Sequence, residues 1–454
     1  MKEFSGSIRP LLLRVAIALA IVLCFALLSR AGGPEYVAGT TYFTSAAPGQ
    51  PLVWAAGQIL YFTDQGDLSP ILPNASANAF VANAFAQWAS VPTAAVAATS
   101  PGTLAEDVNG SNVIRNSDGS LTIPADIQPT ATGTEVGVVY DYDGTVTDAF
   151  LGIGAGDSSQ CFENAAFGGI DNFSASANFL HGLVIINGQC VQQSSQLTDV
   201  EYRLVRTLGQ ILGLAWSQVN LNVITGDPAP TAADYLGFPV MHYKDDPGCV
   251  PITLCYPNPF QLAMDDMASL SRLYPVTAQN QSSFPGKQIF ASATTAIHGS
   301  VWFTNPAGQP TQPMQGVNVV ARWIDPGTGE PSRQYAASVV SGSLFTGNAG
   351  NPITGFYDPL GNPLSDWGSS NTTAEGFFDI AGLQIPNGAT TAQYELSVES
   401  LDPLWSMGVQ PYGPFQVALS GQAALTVVNV ALGSDVEQDI LMAGSEHSVQ
   451  LWSA

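Results

Sequence analysis

The chain has 454 residues, 46% of them hydrophobic and only 11% charged, with 45 Gly and 31 Pro. That length suits about two to three domains of ~100–200 residues, and the apolar fraction excludes wholesale disorder, which goes with apolar-poor, charge-rich chains. Twelve Lys and Arg against 36 Asp and Glu give −24 at pH 7, a charge that repels phosphate backbones and anionic lipid and so excludes nucleic-acid binding as a main role.

Residues 1–31 read as a secretory leader. Lys2, Arg9 and Arg14 form a basic start, Val15–Leu28 is an unbroken apolar run, and Ser29-Arg30-Ala31 offers small residues at −3 and −1 of a cleavage site. The rival is a retained anchor, but such a run rises only about 21 Å as a helix against a hydrocarbon core of ~30 Å. Cleavage leaves an exported chain with no membrane segment. Its loss of Lys2, Arg9, Arg14, Arg30 and Glu3 takes the net charge to about −27.

Further along, strand-like and helix-like segments alternate up to about residue 278. Ala75–Ser90 is predicted helical, capped by Asn74, with Phe80, Ala84, Phe85 and Trp88 on one face. Val136–Tyr140 and Gly182–Asn187 are short β-branched runs and predict strands. Between them Asp141, Asp143 and Asp148 offer carboxylates to a calcium ion, while Asp143-Gly144 reads more simply as a hairpin turn. Thr198–Leu214 is the clearest helix, with a Thr198/Glu201 capping box, one apolar stripe and Gly213 at its end.

Removal of the leader takes Cys24 with it and leaves Cys161, Cys190, Cys249 and Cys255. Four cysteines in an exported chain allow three pairings, of which the sequential one, Cys161–Cys190 with Cys249–Cys255, is expected. No C-x-x-C pair supports a zinc module instead.

Residues 279–290, polar and ending beyond Phe284-Pro285-Gly286, read as a linker. After it come alternating segments at Ile297–Phe303, Val317–Trp323, Phe377–Ile380 and Tyr394–Val398, separated by turn-rich loops, the longest being Gly342–Asn371. Such spacing predicts an all-β sandwich over 291–433. One more run, Leu425–Leu432, has no evident partner, and 434–454 reads as a tail.

Within the clearest helix, the stretch from Val205 through Arg206, Thr207, Gln210, Leu212-Gly213-Leu214 and Trp216 to Ser217 resembles the zinc cassette of metzincin peptidases, the matrixin branch above all. In that family H-E-x-x-H-x-x-G-x-x-H supplies three zinc ligands and a general base. Gly213 and Ser217 match its turn glycine and trailing serine. Phe238–Tyr243, with Met241, is similar to the Met-turn that passes beneath the metal. Leu262–Pro275, with Asp265 and Asp266, resembles the closing helix, and Leu60–Trp88 the opening strand and first helix. The resemblance implies an α+β metzincin-like domain, a twisted mixed sheet with a few long helices, over 34–278.

The ligand positions hold Arg206, Gln210 and Trp216, and the base position holds Thr207. Arg offers no lone pair, Trp only an N–H, and Gln a weak amide oxygen where zinc prefers imidazole or thiolate. Thr207 accepts no proton from water at neutral pH. No zinc and no zincin chemistry are therefore expected, and calcium remains as the one weak cofactor reading. His181, His242, His298 and His447 include no pair at helical ligand spacing. The replaced residues are expected to fill the old metal site, with Trp216 folded over Arg206 and Gln210. A buried Arg206 needs an acidic or carbonyl partner, for which the resemblance offers Asp265 and Asp266; the alternative is an Arg206 that reaches into solvent.

The second region resembles a carboxypeptidase-regulatory-type sandwich of prealbumin or immunoglobulin-like kind. The resemblance rests on Ile297–Val301, Gln315–Val319, Glu375–Phe378, Gly382-Leu383 and Tyr394–Val398. Taken together, the expected protein is an exported pseudo-metallopeptidase that binds an extended peptide, a surface protein or a glycan. An active hydrolase with non-standard ligands and a structural envelope or adhesion component are the alternatives.

Overall fold

The computed structural model describes residues 33–443 apart from 37, 39–41, 48–49, 243–248, 250, 257–258, 315–316, 342–375, 400–415 and 418–425. The leader, the Gly342–Asn371 loop, His447 and the motif residues Tyr243, Gln315, Gly316 and Glu375 lie outside the described residues. The chain is mixed α and β with several sheets, the C-terminal part being rich in antiparallel strands.

The first half runs β1 (Gln58–Thr63), α1 (Asn74–Ala89), β2 (Ala97–Thr103), β3 (Val136–Asp141), α2 (Thr145–Leu151), β4 (Ala166–Phe173), β5 (Phe179–Asn187) and α3 (Leu197–Ile211). Its five-stranded sheet has the order β2-β1-β3-β5-β4, parallel except for the antiparallel edge strand β4. β3 is buried along its whole length, as suits a central parallel strand covered on both faces. The helices α1 and α3 pack on one face, where Phe80, Ala84, Phe85 and Trp88 meet Leu204, Val205 and Leu208. Leu104, Val146, Phe150, Leu183 and Ile185 form a smaller core on the other.

Two helix starts differ from expectation. Asn74 does not cap α1. Its own N–H donates to Asp67 Oδ1 at 2.7 Å, and its side-chain amide donates to the carbonyls of Asp64 and Gly66. Asp67 is the acceptor because the preceding loop folds back over the helix start. Nor do Thr198 and Glu201 cap α3. The chain enters through a 3-10 turn in which Gln196 Oε1 accepts the N–H groups of Gln192 and Gln193, both at 2.9 Å. Asp143-Gly144 is likewise no hairpin. It joins β3 to α2, and the strand that follows on that side, β5, is parallel to β3.

After α3 come α4 (Ala232–Leu236), α5 (Met264–Leu273) and the β-rich half: β6 (Thr295–Thr304), β7 (Asn318–Ile324), β8 (Pro331–Val340), β9 (Phe377–Leu383), β10 (Thr391–Glu399), β11 (Thr426–Ala431), β12 (Asp435–Glu437) and β13 (Ile440–Ala443). One antiparallel sheet has the order β8-β7-β10-β11, which gives the Leu425–Leu432 run its partner in β10. The other is built on β6, with β9 antiparallel on one side and β12 and β13 parallel to it. Residues 435–443 are therefore strands that close a sheet, not a tail. Phe303, Phe378, Val319, Tyr394 and Val430 fill the space between the two sheets.

The 279–290 segment is not a free linker either. Phe284 is buried with Ala95 and Val276. Lys287 Nζ donates to the carbonyls of Ala89, Val91 and Ala94 at 2.6–2.8 Å, satisfying groups left open where α1 ends. Lys287→Met should cost about 2 kcal/mol of stability in a denaturant titration, since a charged donor to several acceptors is lost and the carbonyls are left to water.

The two halves share core. Met264 and Ala268 of α5 pack among the apolar residues of the β-rich half, and Val219 meets Val320 and Ala336. Polar contacts reinforce the seam. Arg322 makes paired bonds to both oxygens of Glu399 at 2.9 Å and a third to Asn220 Oδ1. Arg333 bonds Asp234 Oδ1 at 2.5 Å and Asn222 Oδ1 at 2.9 Å. A Cβ on Gly237 would lie 2.1 Å from the carbonyl oxygen of Arg333, so the backbones meet there without space for a side chain.

Candidate functional site

The site expected from the sequence lies where α3 crosses the sheet and turns. Trp88 Nε1 donates to the Val205 carbonyl at 2.8 Å, and Trp54 Nε1 donates to that of Ile211 at 2.7 Å. These bonds fix the roll of the helix, so Arg206 and Gln210 face one side, half-buried, while Thr207 turns inward. The helix ends in a Schellman motif: Leu214 N–H reaches the Gly209 carbonyl, Gly213 N–H the Gln210 carbonyl, and Gly213 adopts a φ of +81°. That reversal brings Trp216 back over the helix. Its ring lies 5.3 Å from the Arg206 guanidinium carbon, and the ring of Tyr202 lies 5.9 Å from it on another side.

Arg206 Nη2 donates to the backbone carbonyl of His242. The structure thus gives Arg206 a carbonyl and two aromatic faces, and among the described contacts neither Asp265 nor Asp266 is its partner. The reason is that both aspartates are already used from within. Asp266 accepts the N–H groups of Val240, Met241 and Ala263, each at 2.9 Å, and so ties the Met241 turn to the start of α5. Asp265 accepts Ser338 N–H at 2.6 Å. Burial pushes the Asp265 carboxyl up to about 6; burial, and then the neighbouring Asp265 charge, push Asp266 up to about 7.

Met241 passes directly beneath the helix. A Cβ built on Gly209 would lie 2.2 Å from its sulfur and 2.8 Å from Trp88 Cζ2, so glycine is what permits the approach. Ser217 N–H donates to the Met241 carbonyl at 2.5 Å, joining the segment after α3 to the same turn. Thr207 Oγ1 donates within the helix and toward β4, to Arg203 and Ala166 carbonyls at 3.0 and 3.1 Å. It faces the sheet edge as a packed hydroxyl.

Sequence reasoning missed the aromatic stack behind Arg206. His242 stacks on Phe238 with ring centres 4.3 Å apart, and its Nε2 lies 2.5 Å from the Tyr202 hydroxyl. Tyr256 stacks on Tyr202 and Phe238. Tyr202 sits four residues before Arg206, a spacing that places both on one helix face and was legible as such. Tyr256 carried no such signal, because it arrives from a loop.

The remaining histidines are dispersed. His181 Nδ1 bonds Asp171 at 2.6 Å inside the sheet, and His298 bonds Asp435 at 2.8 Å. Among the described residues no group of three His, Cys, Asp or Glu side chains is placed to hold a metal. The three aspartates weighed for calcium each serve local donors. Asp141 accepts Val146 and Thr147 N–H, Asp143 accepts Thr145 N–H and hydroxyl, and Asp148 accepts Gly154 and Gly156 N–H. They cap α2 and the loop after it. Both expected disulfides are formed, Cys161–Cys190 and Cys249–Cys255, which is compatible with a secreted or extracellular protein. Among the described residues no helix is long and apolar enough to cross a membrane.

No family model matches the chain, and no curated protein matches it. A solved structure to which it is similar is (S)-allantoin synthase, at 13% identity over 55% of this chain and 80% of that one, with a TM-score of 0.15. A likeness that slight says nothing about fold or activity.

Proposed function

We propose that the chain is an exported binding or scaffolding protein, a metzincin-type frame whose zinc cassette has been replaced, followed by a carboxypeptidase-regulatory-like sandwich. The observation that carries this reading is the convergence of Arg206 and Trp216 on each other and on the Met241 turn. Positions that the resemblance assigns to metal ligands meet in space, yet they hold a cation stacked on an indole and bonded to a carbonyl. A guanidinium there repels a dication, and no base stands at Thr207 to activate water. The mixed sheet, the Met241 turn beneath Gly209 and the closing helix with its two aspartates support the frame.

Binding through this half needs only a sheet edge. β4 is the edge strand of the mixed sheet beside α3, and an extended peptide would add to it through main-chain hydrogen bonds. Elemental analysis of the purified protein, with zinc titration calorimetry, tests the metal side of the proposal. Less than a tenth of an equivalent of zinc and no binding heat are expected, and one tightly held zinc per chain would overturn the reading. Capture of extended peptides from a library by the full chain tests the binding side, and loss of capture on replacing Gly169 of β4 with proline is the expected result.

A further inference from the structure

Asp265 is the first acidic residue of α5, and its carboxylate points out of that helix into the β-rich half. It accepts Ser338 N–H of β8 at 2.6 Å, a bond that crosses from one half to the other. The group is buried, and so is its neighbour Asp266. Cations are close in the seam, but each is engaged elsewhere. On α5 itself Arg272 pairs with Asp379 of β9, Arg333 of β8 pairs with Asp234 of α4, and Arg322 of β7 pairs with Glu399 of β10. From the Met241 turn, His242 faces Tyr202. A carboxylate held here therefore has one backbone donor and a like charge beside it, and among the described contacts none supplies a counter-cation.

We propose that Asp265 is a proton-controlled latch between the two halves, docking them as the neutral acid and loosening them on ionisation. Opening the seam would return the group to water and to the ordinary carboxylate range. Docked, it lies at about 6. The closed state thus binds the proton more tightly than the open one, so docking is strongest below the ordinary carboxylate pKa and weakens as pH rises through about 6. The proton released goes to solvent, and the ionised group then repels Asp266 across one peptide unit.

The test is amide hydrogen exchange on the full-length protein, with intrinsic rates corrected for pH. The opening constant at Ser338 should rise about tenfold between pH 5 and pH 8, the size expected for one carboxyl moving from about 6 to its ordinary value. In Asp265→Asn, which imitates the neutral acid, that pH dependence should vanish at Ser338. Equal pH dependence in the two proteins would overturn the proposal, as would Ser338 protection that does not change with pH. Should Asp265→Asn fail to fold, the carbon-13 shift of the Asp265 side-chain carboxyl, followed through pH in the unaltered protein, decides. A midpoint near 6 is the expected result, and a midpoint in the ordinary carboxylate range overturns the latch.

Discussion

Asp266→Ala is expected to destabilise the protein by about 3–5 kcal/mol at pH 5, because it strips the acceptor from three buried N–H groups at once. Asp266→Asn should be nearly as costly. Val240 and Ala263 both donate to Oδ2 while Met241 donates to Oδ1, so one side of an amide must set its NH2 against at least one N–H. The loss should shrink at pH 8. The wild-type carboxyl, raised to about 7, is then a buried charge, and its contribution to stability falls as pH rises through that value. Denaturant titrations at the two pH values check both statements. A loss that grew with pH would mean that the ionised form, not the neutral one, holds the Met241 turn.

The second large effect is a gain. With Arg206→His, Thr207→Glu, Gln210→His and Trp216→His introduced together, zinc should stabilise the variant and leave the wild type unchanged. At a thousandfold excess over the dissociation constant the expected gain is about 4 kcal/mol, read as a rise in melting temperature on adding zinc to the same variant. Positions 206 and 210 are one helical turn apart, and the Gly213 reversal already returns residue 216 to that face, so the backbone is in place. Absence of any zinc-dependent shift would show that the backbone here does not hold these positions in ligand geometry.

Much of the first half was legible because its signals are local and repeated. The α1 and α3 stripes put Trp88, Leu204 and Leu208 into one core, as their spacing required. Gly213 ends α3 for the reason a helix-stopping glycine usually does. What failed were readings that needed a partner from elsewhere in the chain. Thr198 and Glu201 have the residues of a capping box, but Gln193 and Gln196 come first and nucleate the turn before them. Lys287 looked like part of a polar spacer because its three carbonyl partners lie almost two hundred residues upstream. Strand pairing for 435–443 was invisible for the same reason, since β6 lies well over a hundred residues earlier.

The site divided along the same line. That Trp216 meets Arg206 followed from the turn between them, whereas neither Asp265 nor Asp266 is among the partners described for Arg206. The place of the aspartate pair in the resembled family suggested Asp265 and Asp266. The backbone amides of the Met241 turn and of β8 reach those carboxylates first, and nothing in the local sequence announces an amide as a competitor.

The disulfide between Cys161 and Cys190 has a consequence for how a partner can use this molecule. Cys161 precedes β4 and Cys190 follows β5, so the bond closes the open end of a hairpin whose other end is the tight Ser174–Asn178 turn. Strand β4 is sewn down at both ends. An incoming segment can lie alongside it but cannot peel it away and take its place, and a second copy of the chain cannot exchange it. In an oxidising medium the edge strand therefore resists replacement, while reduction of one bond would turn the same strand into a removable piece.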